Sequence, residues 1–584
     1  MFPKRSASIH PTYIISTLML LFITTSCTHT TPVPTSQVNV DNDFTQYTSQ
    51  LFATEIASNT LNLHYTLSNP DSYNIVEATP SLGDFSVNIT KQHMAIENAL
   101  ATLSHFPYEQ LSFSNQLTYD ILLDSFITTQ EGLDYTYFYE PLTPYTGIHA
   151  QLPILLSEFP LNTEEDIHTY LTLLKTFPEY FTSLIDFERQ KTALGLFMSD
   201  SELDHVLEDC TAFVAMKENY LVTSFSERIS HITFIDKDKA QAFKKENNDI
   251  VNDFVIPSYS SLITSLEDFR HSNTNLLGLC YYKNGRNYYS YLVQNNTGSS
   301  RTLPNIQVLI KNQLLEDMQD LQTALNTQQV SHTTTAPDLH MTPEEMLTSL
   351  EKDISHAFPT KNLVTATIKN VPTSMEPYLS PAFYLIPPLD QYTDNVIYLN
   401  QSHMTDDVSM YTTLAHEGFP GHLYQTTYYA STSPNPVRSL FSFGGYLEGW
   451  ATYAEMCSYY LGVIPDSTAT ILQKNASLNL GLYAYVDIGI HYEGWSVTDV
   501  VQFYKTYGIT DTVIIERIYN LIKSTPSNYL KYYLGYLEFL ELKKDCIQKW
   551  GPDFSQKRFH QAVLEIGPAP FSIVRKYLQL DALN

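Results

Sequence analysis

Apolar residues recur at three- and four-residue spacing, with polar residues between them, over 164–193, 236–265, 307–327 and 343–357. That rhythm gathers the apolar side chains on one face of a 3.6-residue helix, so each stretch predicts an amphipathic helix. Residues 511–521 and 529–550 are richer in apolar side chains and predict late helices that close the core. Strand signals are few. Branched and aromatic residues bounded by turn formers occur around 278–291 and 383–400. No internal repeat is present. The polar stretch 328–339 predicts a seam between an amino-terminal helical lobe (44–335) and a carboxy-terminal lobe (336–584), with a cleft between them. The pattern therefore predicts a mainly α fold, large and two-lobed, with a small β-sheet.

The amino terminus follows a different pattern. Lys4 and Arg5 precede an apolar run from Tyr13 to Ile23, and Thr24-Thr25-Ser26-Cys27 follows. This is the layout of a secretory signal, too short to span a bilayer comfortably. The small residues before Cys27 match a lipoprotein cleavage site, although Thr24 stands where Leu is usual. The expectation is export with Cys27 lipid-anchored to the outer face of a bacterial cell membrane. Residues 28–43, rich in Thr, Pro, Ser and Asn, predict a flexible tether. The full sequence has 43% hydrophobic residues, which argues against disorder. A formal charge of −29 speaks against nucleic acid as a partner and leaves the lipid anchor as the only expected membrane contact. Cys210, Cys280, Cys457 and Cys546 show no paired metal spacing, and sequence alone cannot pair them as disulfides.

Candidate chemistry concentrates in His416-Glu417-Gly418-Phe419-Pro420-Gly421-His422. Two imidazoles can ligate zinc, and a carboxylate beside the first can take a proton from an attacking water. Six residues turn a regular helix by about 240°, so the two rings diverge unless the backbone breaks between them. Pro420 donates no amide hydrogen and Gly421 tolerates unusual angles, so a break is expected there. The plain alternative is a His–Glu pair at a helix end followed by a turn. Residues 445–456 predict a helix carrying Glu448, a candidate third ligand, and Glu455 lies two turns along the same face. Glu455 is either an outer support for a ligating His or a solvated surface acid. Asp487 and His491 are four apart on a helix beginning near Leu478, where the choice is between an oxyanion donor and a structural pair. Glu493-Gly494-Trp495 repeats the Glu448-Gly449-Trp450 triplet, which makes Glu493 a rival third ligand.

Taken with Tyr532-Tyr533-Leu534-Gly535 and Gly567-Pro568-Ala569-Pro570, these motifs resemble the bacterial domain-of-unknown-function 885 family. Leu423 stands where many members carry another His. The resemblance implies a gluzincin-like zinc metallopeptidase, with the sheet beside an active-site cleft. It implies one Zn²⁺ held by His416, His422 and Glu448, with Glu417 as general base. His491 and Tyr532 would act as oxyanion donors, with Glu455 and Asp487 in support. Residues 395–400 read as a strand that, if an exposed edge, would pair with an extended peptide substrate, bringing in Tyr398 and Asn400. A zinc hydrolase of another amide or ester is the first alternative. An exported binding protein with a structural metal is the second, and Glu417 argues against it because a structural site needs no base.

Overall fold

The computed structural model describes residues 37–582 apart from 76–78, 145–146, 274, 276, 328–336, 361–363, 372–375, 377–379 and 405. The signal segment, residues 28–36 of the tether and most of the polar seam lie outside the described residues.

Helices form where apolar spacing places them. The 164–193 stretch divides into Glu164–Lys175 and Phe177–Ala193. Thr176 separates them because Pro178 lacks an amide hydrogen and suits the first turn of a new helix. The 236–265 stretch is Lys237–Ile250, a π-helical turn Val251–Val255 and Ile256–Asp268. Helices Leu303–Thr327, Pro343–Asp353, Thr512–Ser524 and Asn528–Trp550 follow the other expected spans.

Two expectations are corrected. Residues 278–291 are not strand; a 3₁₀ turn Leu279–Tyr281 leads into the helix Gly285–Thr297. That helix buries Gly285, Tyr288, Tyr289, Val293 and Thr297, a three-and-four spacing that overrides the strand preference of its tyrosines. The end of the expected tether is helical too, in Gln37–Ile56. Val40, Phe44, Phe52 and Ile56 are buried one turn apart or two, so an apolar stripe begins inside a polar composition.

Packing also divides the chain differently from the polar seam. One core gathers Leu61, Tyr170, Phe181 and Tyr259 with their neighbours between 61 and 266. Another includes Tyr289, Val293, Ile306 and Leu314 together with Trp450, Tyr533 and Phe571. Helices Gly285–Thr297 and Leu303–Thr327 thus pack with the carboxy-terminal elements, ahead of residues 328–339.

The sheet has three strands, β1 (Thr365–Asn370), β2 (Ala382–Leu385) and β3 (Asp394–Leu399), in the order β1-β3-β2. Its central strand is β3, parallel to β1 and antiparallel to β2, with Tyr384 opposite Ile397. Residues 395–400 therefore offer no free edge, which corrects the substrate-pairing expectation. Both sides of β3 are satisfied by its neighbours, and the edges lie on β1 and β2 instead.

Helix Gly444–Ser458 is buried nearly all round and packs against Asn528–Trp550 with the two backbones in contact. A Cβ on Gly449 would lie 2.4 Å from the carbonyl carbon of Gly535, and one on Gly535 would lie 2.2 Å from the Gly445 carbonyl oxygen. Only hydrogen fits at these two positions. Gly535→Ala is expected to cost about 1–3 kcal/mol, the usual cost of overpacking a tight core. Denaturant unfolding measures it, and an unchanged midpoint would contradict backbone contact between these helices.

Candidate metal centre

The helix Asp407–Glu417 starts with the Asp406 side chain accepting from the Ser409 amide and ends at Gly418. The next helix, His422–Ala430, starts four residues after Gly418, so His416 ends one helix and His422 opens another. The intervening turn folds back tightly. A Cβ on Gly421 would sit 1.8 Å from the His416 carbonyl oxygen, which explains glycine there. The turn is held by the Tyr424 amide donating to the Gly418 carbonyl at 3.2 Å and the Trp450 indole donating to the Pro420 carbonyl at 2.9 Å. The break expected at Pro420-Gly421 is thus a reversal between two helices.

This reversal turns both imidazoles toward Glu448. His416 Nε2 lies 3.5 Å and His422 Nε2 3.3 Å from Glu448 Oε2, and the two rings are 4.9 Å apart at their centroids. All three donor atoms fall within 4.8 Å of one another, and all three residues are buried. Ligand atoms about 2.0–2.2 Å from one tetrahedral zinc are spaced about 3.3–3.6 Å apart, so the donor set fits such an ion in chemistry and its two His–Glu contacts fit in spacing. The Nδ1 atom of His416 meets Glu455 Oε2 at 3.1 Å, with Glu455 buried. Glu455 is therefore no solvated surface acid. It would hold that ring's orientation and tautomer, as carboxylates behind ligating histidines do.

Glu417 is buried beside this cluster, and its Oε2 accepts from the Tyr384 amide of β2 at 2.9 Å. The outer side of β2 thus faces the candidate base. Burial raises the Glu417 pKa above the ordinary carboxylate range, while the imidazoles of His422 and His416 pull it back down. Burial works to lower the pKa of His416, but the Glu448, Glu455 and Glu417 carboxylates more than offset it and bring it to about 10. Three buried carboxylates around two imidazoles favour a proton or a cation between them.

A family model described as bacterial protein of unknown function (DUF885) matches residues 79–578. The chain belongs to the DUF885 family. No curated protein matches it. The fold is shared with a candidate lipoprotein of Colwellia psychrerythraea, at TM-score 0.80 and 18% identity over 93% of this chain and 98% of that one. A candidate lipoprotein of unknown function from Shewanella oneidensis aligns at TM-score 0.61 and 14% identity, over 94% and 100% of the two chains.

Other residues singled out in this DUF885 chain fall in different places. Tyr532 lies against the site, its ring 6.2 Å from that of His416 and tilted by 26°. Glu493 is not a ligand; it is exposed and accepts from Gln307 Nε2 at 2.7 Å. His491 is not available as an oxyanion donor. Its Nδ1 accepts from the Leu279 amide and its Nε2 meets the Ile522 carbonyl, both at 3.2 Å. A ring with one accepting nitrogen and one donating nitrogen is neutral, in keeping with a pKa pushed down by burial to about 4. Nor does Asp487 support His491, since the helix Asp466–Ile488 passes into a π-helical turn, Gly489–Glu493, between them. Asp487 Oδ1 instead accepts from the Tyr289 hydroxyl at 2.5 Å and the Ser527 amide at 3.0 Å. Tyr398 and Asn400 make contacts within the protein around the sheet. Tyr398 stacks on Phe383 at 4.9 Å, and buried Asn400 donates to the Glu376 carbonyl at 2.8 Å. The four cysteines among the described residues are free.

Tyr384 and Trp450 carry roles that sequence reasoning missed. Trp450 sits inside a quoted motif, whereas Tyr384 contributes a backbone amide and has no side-chain signature.

Burial pushes the Asp487 carboxyl up to about 7 from its ordinary 3.8. Between those values the native protein holds a proton that the unfolded chain has released, so this residue's contribution to stability falls as pH rises from about 4 to about 7. Asp487→Asn keeps an acceptor for Tyr289 and Ser527 without that proton. Melting curves across this range should show the variant gaining on the parent as pH rises, and a constant difference would contradict the assignment.

Proposed function

We propose that this DUF885 protein is an exported zinc-dependent hydrolase, most specifically a gluzincin-like metallopeptidase. The supporting observation is the convergence of His416, His422 and Glu448 with Glu417 anchored alongside. Zinc held there would supply Lewis acidity and lower the pKa of water from 15.7 to about 7. Glu417 receives the proton of the attacking water and passes it to the leaving amine. The Tyr384 amide fixes one carboxylate oxygen during both transfers. Tyr532, whose ring lies beside that of His416, would donate to the developing oxyanion in place of His491.

A peptide bond is the proposed target because of the family resemblance and because the outer edge of β2 runs beside Glu417, where an extended backbone could add as a strand. The same groups would serve another amide or an ester. The signal-like amino terminus and the descriptions of the two structural neighbours support export and lipid anchoring at Cys27. No helix among the described residues is long and apolar enough to cross a membrane.

Glu417→Gln should retain one zinc per chain by elemental analysis yet lose peptide cleavage by about 10²-fold or more, as expected for a lost general base. Retained turnover would reject Glu417 as the base, and absence of zinc from the parent protein would reject the metal reading. Glu455→Ala should weaken zinc binding about 10–100-fold in a competitive chelator titration. Equal affinity would show that the Glu455 contact does not support the site.

A further inference from the structure

A cavity of about 650 Å³ lies near the candidate ligands without including them. His416, His422 and Glu448 do not line it. Gly444, one helical turn before Glu448, and Lys531, the residue before Tyr532, form its wall on that side. They touch each other, because a Cβ on Gly444 would lie 2.9 Å from Lys531 Cδ. Lys531 is largely buried, and burial lowers its pKa despite the nearby Glu448 carboxylate. Its side chain lines the cavity beside the helix that carries Glu448. The cavity is otherwise aromatic, with Tyr135, Phe138, Tyr288 and Tyr291 in its walls. Its volume lies within the range of small-ligand sites and suits one or two amino-acid residues rather than a folded protein.

We propose that this cavity receives the carboxy-terminal residue of a peptide and that Lys531, in its wall, binds the terminal carboxylate. This inference rests on the peptidase reading and refines it. The protein would trim peptides from their carboxyl end, with the final side chain among the aromatic walls and the preceding peptide bond presented toward Glu417. Glu55 and Asp124 also line the cavity, and burial raises the pKa of both, to about 8 and about 6.

The test is calorimetric binding of Gly-Gly-Phe and Gly-Gly-Phe-amide to the full-length, zinc-loaded Glu417→Gln protein, alone and with Lys531→Met. The free acid should bind about tenfold or more tightly than the amide, the usual worth of a charged hydrogen bond. Lys531→Met should bring the two within about twofold. Equal binding, no binding of either peptide, or a preference that survives Lys531→Met overturns the proposal. The comparison on a Lys531-containing protein stands even if that second substitution prevents folding. Digestion by the parent protein separates the two readings. A Lys531-dependent preference without cleavage removes the peptidase reading and leaves the carboxylate site. Cleavage at internal and amidated positions as readily as at free ends removes the carboxylate site and leaves the peptidase.

Discussion

Glu448 faces two imidazoles across little more than 3 Å, and the surrounding architecture serves that meeting. The carboxylate reaches it from a helix whose backbone lies directly on another, at Gly449 and Gly535. The imidazoles reach it because the chain reverses between Gly418 and Gly421, with Trp450 of the Glu448 helix clamping the turn. One helix therefore supplies both the acid and the anchor for the loop that positions its partners. With Glu417 and Glu455 also buried, the centre concentrates negative charge in a place that water scarcely reaches. Buried negative charge is costly, so a cation there would stabilise the native fold as well as enable chemistry.

Much of this was legible in the sequence. Helix positions followed apolar spacing, and the departure of His422 from regular helical register pointed to a broken backbone. Glu448 and Glu455 were separable from Glu493 by the richer pattern around them. What sequence could not show was partnership at a distance. Asp487 and His491 share a helical interval, yet the π turn at Gly489 and the Leu279 segment draw His491 into packing. Strand order was likewise hidden. Residues 395–400 look like a strand from composition, but only pairing with β1 and β2 shows that they lie at the centre.

The same limit explains the tyrosine-rich stretch at 278–291. Aromatic residues favour strands on average, but burial of every third or fourth residue selects a helix. Lys531 illustrates the converse. One residue before a recognisable motif, it carries no signature of its own, and only the fold brings it into the wall of a cavity.

The central claim is that two imidazole nitrogens and one carboxylate oxygen converge on a single ion. Zinc-edge X-ray absorption of the purified protein tests it most directly. The account predicts one zinc per chain, with two histidine nitrogens and oxygen ligands at about 2.0–2.2 Å. Sulfur ligands, a spectrum without histidine scattering, or a protein that takes up no zinc would contradict it.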